Sequence, residues 1–76
     1  MKSYALFQQY IWLVNTIYRA KRITLEGINR KWVDNYMSEG MPMVRSTFNR
    51  HKDAIQDMFG IDIECDKKDG FKYYIG

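Results

Sequence analysis

Between positions 45 and 52 the chain reads Arg45-Ser46-Thr47-Phe48-Asn49-Arg50-His51-Lys52, a dense set of hydrogen-bonding side chains around one aromatic residue. If this stretch is helical and Phe48 faces inward with Ile55 and Phe59, the outer face carries Arg45, Ser46, Asn49, Arg50 and Asp53. An arginine fork matches guanine O6 and N7, and an asparagine amide matches adenine N6 and N7. Ser46 and Thr47 suit a phosphate or a base edge, and the free amides of a helix's first turn donate to phosphate. Arg45, Arg50 and Lys52 come first and Asp53 and Asp57 follow, so only the first half of such a helix can approach a polyanion. By spacing alone the same residues also read as an ordinary solvated helix face.

The remaining candidates are weaker. Lys67 and Lys68 can reach a neighbouring phosphate, but Asp62, Glu64, Asp66 and Asp69 surround them and nearly cancel their field. Lys21, Arg22, Arg30 and Lys31 form a second basic group that reads as phosphate contacts or as solubilising charge. His51 suits a phosphate contact when protonated, or packing beside the second helix with one nitrogen satisfied; the packing role is favoured. Cys65 reads as a small inward strand residue. Trp12, Trp32 and the tyrosines can stack unpaired bases, but helical spacing places them more naturally in a core or against another domain. No nucleophile or phosphate-loop motif is present. A single Cys excludes an internal disulfide, and no zinc-ligand spacing occurs. The sequence therefore implies no enzyme, no metal and no cofactor.

These side chains need a scaffold, and 76 residues at 9.2 kDa allow one core. A chain of that mass hides only about 60% of its extended surface on folding. Hydrophobic residues at 46% and charged residues at 28% are nevertheless those of a globular chain rather than a disordered one. The net charge of +3 permits a polyanionic partner without requiring one. The longest apolar run, residues 10–14, is far too short to span a bilayer. Cysteine usage points to a reducing, cytoplasmic setting.

Apolar series at Leu6, Tyr10, Leu13, Ile17 and at Phe7, Ile11, Val14, Tyr18 predict a helix from Tyr4 to Ala20 with a broad buried face. Ile23 reads as a very short strand. Thr24 is the expected N-cap of a second helix through Leu25, Ile28, Trp32 and Tyr36, ending near Asn35, with Gly27 standing where a capping box would place Glu or Gln. Residues 35–43, with Gly40 and Pro42, form a loop. A third helix runs from Val44 to Phe59 on Val44, Phe48, Ile55 and Phe59; Lys52 breaks its seam, Val44 cannot cap it, and Gly60 ends it. Two period-two runs, Ile61-Ile63-Cys65 and Phe71-Tyr73-Ile75, flank Asp69-Gly70 and predict a β-hairpin. The fold class is α+β: three helices, a short strand after the first, and a C-terminal hairpin.

This order is that of a winged helix-turn-helix. The segments Arg22-Ile23-Thr24-Leu25-Glu26, residues 45–51, residues 55–61 and residues 69–75 give a chain that resembles the N-terminal domain of the WYL-domain family of bacterial transcriptional regulators. The resemblance spans essentially residues 1–76 as one domain. It implies a reader of double-stranded DNA, with Arg45, Ser46, Thr47, Asn49, Arg50 and Lys52 on the major-groove helix and Lys67 and Lys68 on the wing. It also implies a sensor domain following in a longer regulator, and binding over two half-sites makes a homodimer a possible arrangement. The competing reading is an interaction module of the same fold, docking through Tyr4, Trp12, Tyr36, Met37, Met41 and Met43 without specific DNA readout. A third, single-stranded nucleic-acid binding, requires the aromatic rings at the surface.

Overall fold

The computed structural model describes residues 2–76, with side chains from Tyr4 onward. Its elements are α1 (Lys2–Ala20), α2 (Leu25–Trp32), α3 (Arg45–Phe59), β1 (Ile63–Asp66) and β2 (Lys72–Ile75). Three helices thus precede a two-stranded antiparallel hairpin, in which Ile63 pairs with Ile75 and Cys65 with Tyr73. No described helix is long and apolar enough to cross a membrane.

The buried face of α1 is narrower than its periodicity predicts: Leu13 and Ile17 are fully buried and Tyr10 and Val14 pack on the core, whereas Leu6, Phe7, Ile11 and Tyr18, expected inward, are exposed because the few elements packed on α1 cover one side of it. The chain leaves α1 through Lys21 in the left-handed region (φ +68°). Ile23 then forms a one-residue bridge on the free edge of β2, donating its N–H to the Tyr73 carbonyl at 3.0 Å and accepting from the Tyr73 N–H at 2.7 Å. Thr24 caps α2, its Oγ1 accepting from the Gly27 N–H at 3.0 Å. Gly27 is required by proximity, because a Cβ there would lie 2.8 Å from Cγ1 of Ile23, which the bridge holds in place. That close approach explains why the capping box is left incomplete.

α2 stops at Trp32, three residues short of the expected boundary. Asn35 captures the backbone instead, its Oδ1 accepting from the Met37 N–H and opening a 3₁₀ turn at Tyr36–Ser38. Ser38 is buried, donates to the carbonyl of Asn35 and accepts from the Gly40 N–H. Tyr36, expected to continue the helical seam, is accordingly 80% exposed. The proposed Met and aromatic docking group is divided: Met43 is buried and Met37 packs on the core, whereas Tyr4, Tyr36 and Met41 face water.

The core comprises Leu13, Ile17, Ile28, Trp32, Met43, Phe48, Ile55, Ile63 and Tyr73. From α3 it takes Phe48 and Ile55 with His51 between them, so the seam that Lys52 was expected to break is filled by the imidazole one residue earlier. Phe59, expected inward, is exposed and packs on Phe7 with ring centroids 5.7 Å apart, because α3 continues past the end of the core. Val44 is exposed as well. Phe71 leaves the inward strand face: the hairpin turn takes residues 67–71, which puts Phe71 at φ +59° ahead of β2 and exposes it. Cys65 is half-buried against the core, as the alternation predicts.

Phe48 is the largest fully buried side chain and packs edge-on against Tyr73, centroids 4.7 Å apart. Phe48→Ala is expected to cost about 3–5 kcal/mol, close to the whole stability of so small a domain. Urea titration followed by circular dichroism should lose its cooperative transition.

Candidate nucleic-acid interface

The first two turns of α3 carry the candidate side chains, and their placement begins with the residue that fixes where the helix starts. Val44 occupies the N-cap position with no side-chain hydrogen bond to the helix. The missing anchor comes from α2. Asn29 donates through Nδ2 to the Met43 carbonyl at 2.9 Å and accepts through Oδ1 from the Met43 N–H at 2.7 Å. The amide thus pairs with a loop peptide as a neighbouring strand would, and it locks the residue two before Arg45. The sequence reading missed Asn29; its only signal was a polar residue in the last turns of a short amphipathic helix.

With α3 so held and Phe48, His51 and Ile55 turned inward, Arg45, Ser46, Asn49, Arg50 and Asp53 are all exposed on the opposite face, as predicted. Thr47 and Lys52 are half-buried on its flanks. Among the described residues no carboxylate forms an ion pair with Arg45 or Arg50. Arg45 donates to the Tyr73 hydroxyl at 3.3 Å, which links the start of α3 to the hairpin. Beside it a cleft of about 350 Å³ opens between Thr24, Glu26, Asn29, Arg45, Gly70 and Phe71. Glu26 on its wall offsets part of the guanidinium charge.

Lys67 and Lys68 are exposed on the hairpin turn. Asp66 organises that turn: Oδ1 accepts from the N–H groups of Lys68 and Asp69, while Oδ2 accepts from Arg22 Nη1 at 2.8 Å. The Arg22 hydrogen bond, helped by the two backbone donors, holds the Asp66 carboxyl below its ordinary value of 3.8. Arg22 also lies 3.8 Å from Asp69 and 4.6 Å from the Tyr74 ring centroid, and Lys72 pairs with Asp69 at 3.6 Å. Arg22 is therefore committed to the hairpin rather than to the second basic group. Of the others in that group, Lys31 joins Arg19, Thr16 and Trp12 around a cleft of about 290 Å³.

His51 packs beside α1 rather than beside the second helix. Its Nε2 donates to Gln9 Oε1 at 3.1 Å as the two groups are placed, and Tyr10 meets the ring edge-on at 5.1 Å. Burial, followed by repulsion from Arg50, pushes its pKa below 6.5, so the ring is held neutral and is no phosphate donor. Trp32 is buried, which removes it as a shelf for unpaired bases, while Trp12, paired with it at 4.9 Å, is half-buried. Comparison of the chain with protein-family models, with curated proteins and with solved structures finds no match in any of the three.

Two outcomes are expected. Asn29→Ala strands the polar groups of the Met43 peptide and should cost about 1–3 kcal/mol, measured by thermal or urea unfolding. The second concerns pH. Between 6.5 and the lower folded pKa of His51, the unfolded chain binds more protons than the folded one, so stability rises with pH and is lost as pH falls through that window. The Asp66 contribution, present above 3.8, is lost only at more acidic pH. His51→Gln should abolish the drop that begins below pH 6.5; an unchanged profile would assign it to another group.

Proposed function

We propose that this chain is a winged helix-turn-helix reader of double-stranded DNA, non-catalytic and cytoplasmic, resembling the DNA-binding domain of WYL-domain regulators. The observation that carries the reading is the outer face of α3, where Arg45, Ser46, Asn49 and Arg50 stand exposed and without ion pairs on a helix braced from behind by Phe48 and Ile55. A major groove admits one helix, and the N-terminal turns of that helix meet base edges. Arg50 and Asn49 are the base-reading pair in this scheme. Arg45, tethered to Tyr73, has a fixed reach, which suits a guanine or a phosphate at one position. Ser46 and Thr47 contact backbone. Asp53 and Asp57 keep the second half of α3 out of the groove.

The hairpin serves as the wing. Around it Asp62, Glu64, Asp66 and Asp69 are matched in number by Arg22, Lys67, Lys68 and Lys72, so their formal charges sum to zero. Because Asp66 and Asp69 are engaged by Arg22 and Lys72, Lys67 and Lys68 are left as its two unpaired cations, each suited to a single phosphate.

Selection of bound sequences from a random duplex pool tests the reading, followed by affinity measurements on the selected site and on random duplex. Arg50→Ala should cost about 1–3 kcal/mol on the selected site with little change on random duplex. Lys68→Ala should weaken both alike and reduce the salt slope by about one unit. No duplex binding at low salt, or equal loss on every sequence for Arg50→Ala, overturns the assignment of α3 as the base-reading helix.

A further inference from the structure

The C-terminal half of α1 turns Trp12, Thr16, Arg19 and Ala20 to one side, and Lys31 of α2 completes the wall of a cleft of about 290 Å³. Trp12 stands at one end of the α1 wall. Buried Trp32 backs its indole at 4.9 Å, so the ring is a held surface, and part of it stays open. Arg19 lies about 10 Å further along the helix axis, with Thr16 on the turn between. No carboxylate lines the cleft, and among the described residues neither Arg19 nor Lys31 forms an ion pair. Each lies in the last turn of its helix, where a cation complements the macrodipole. The dipole accounts for the two charges but not for an aromatic face and a hydroxyl on the same wall.

We propose that this cleft binds one nucleoside monophosphate, with the base on Trp12 and the phosphate on Arg19 and Lys31. Three features select that chemistry. A phosphate monoester carries about two negative charges at neutral pH, which matches two unpaired cations; a carboxylate brings one. A base is a flat π-system that stacks on an indole. The Thr16 hydroxyl stands where the sugar has to pass, and it can donate to or accept from the sugar hydroxyls. A strand of nucleic acid fits less well. It needs a row of rings, whereas Trp12 is the one aromatic residue lining this cleft and Trp32 is buried. Its phosphodiesters also bring a single charge each. The volume sets the same limit, since about 290 Å³ lies at the lower bound of small-ligand pockets. None of these residues belongs to α3, so the site stands whether or not α3 reads DNA.

Titration of the full chain with adenosine monophosphate at low salt tests it, followed through the two indole N–H signals by heteronuclear NMR, with circular dichroism to verify that each variant is folded. The Trp12 signal should shift saturably and the Trp32 signal much less. Adenosine and inorganic phosphate, each carrying half of the ligand, should bind at least about tenfold more weakly. Arg19→Gln and Lys31→Gln, at exposed positions outside the core, should each weaken nucleotide binding about threefold to tenfold. Trp12→Phe, a smaller shelf, should weaken it about fivefold; the two glutamine variants carry the test if that chain fails to fold. No saturable shift up to about 10 mM nucleotide, binding indifferent to both glutamine variants, inorganic phosphate as tight as the nucleotide, or O-phosphotyrosine tighter than it would each overturn the assignment.

Discussion

The two hydrogen bonds between the Asn29 amide and the Met43 peptide are the constraint on which the exposed α3 face depends. A helix's direction is set by its first turn, and α3 begins at a residue whose side chain cannot hold an orphan N–H. By gripping the peptide just ahead of it, Asn29 transfers that task from a cap to a neighbouring helix. The position of α3 then follows α2, which Thr24 caps and Ile23 braces against the hairpin. The link is between helices, so the amide of Asn29 on α2 bears on where α3 presents Arg45 and Arg50.

The same economy of small parts governs the packing. α3 has only Phe48, His51 and Ile55 in the interior, and a buried imidazole is tolerable because Gln9 and Tyr10 meet it from α1. Arg50 next to it then acts in two directions: its charge faces outward, where the proposed DNA contact needs it, and it discourages protonation of the ring behind. The hairpin is organised by charge rather than by apolar burial at its turn, with Asp66 receiving two backbone donors and Arg22 together. Such exposed pairs contribute little stability individually. Their effect is to fix the turn and to consume the acidic side chains near Lys67 and Lys68.

The two ends of α1 differ in how the domain uses them. Leu13 and Ile17 lie under α2 and the hairpin, whereas Tyr4, Leu6 and Phe7 extend beyond the core and remain exposed. A small domain exposes some apolar surface by geometry alone.

Periodicity and punctuation were enough to locate the three helices, the Ile23 strand, the hairpin, the Thr24 cap and the Gly60 terminator, because each follows from local stereochemistry. They were also enough to turn Arg45, Ser46, Asn49 and Arg50 outward, since Phe48 and Ile55 leave α3 only one inward face. Tertiary structure alone decided the rest. That His51 rather than Lys52 fills the seam, that Phe59 escapes the core, that Phe71 leaves the strand, and that Asn29 holds Met43 all depend on which surfaces meet. A linear pattern records which faces a helix has, but not where the core beneath it ends or which distant peptide lies within reach of a side-chain amide.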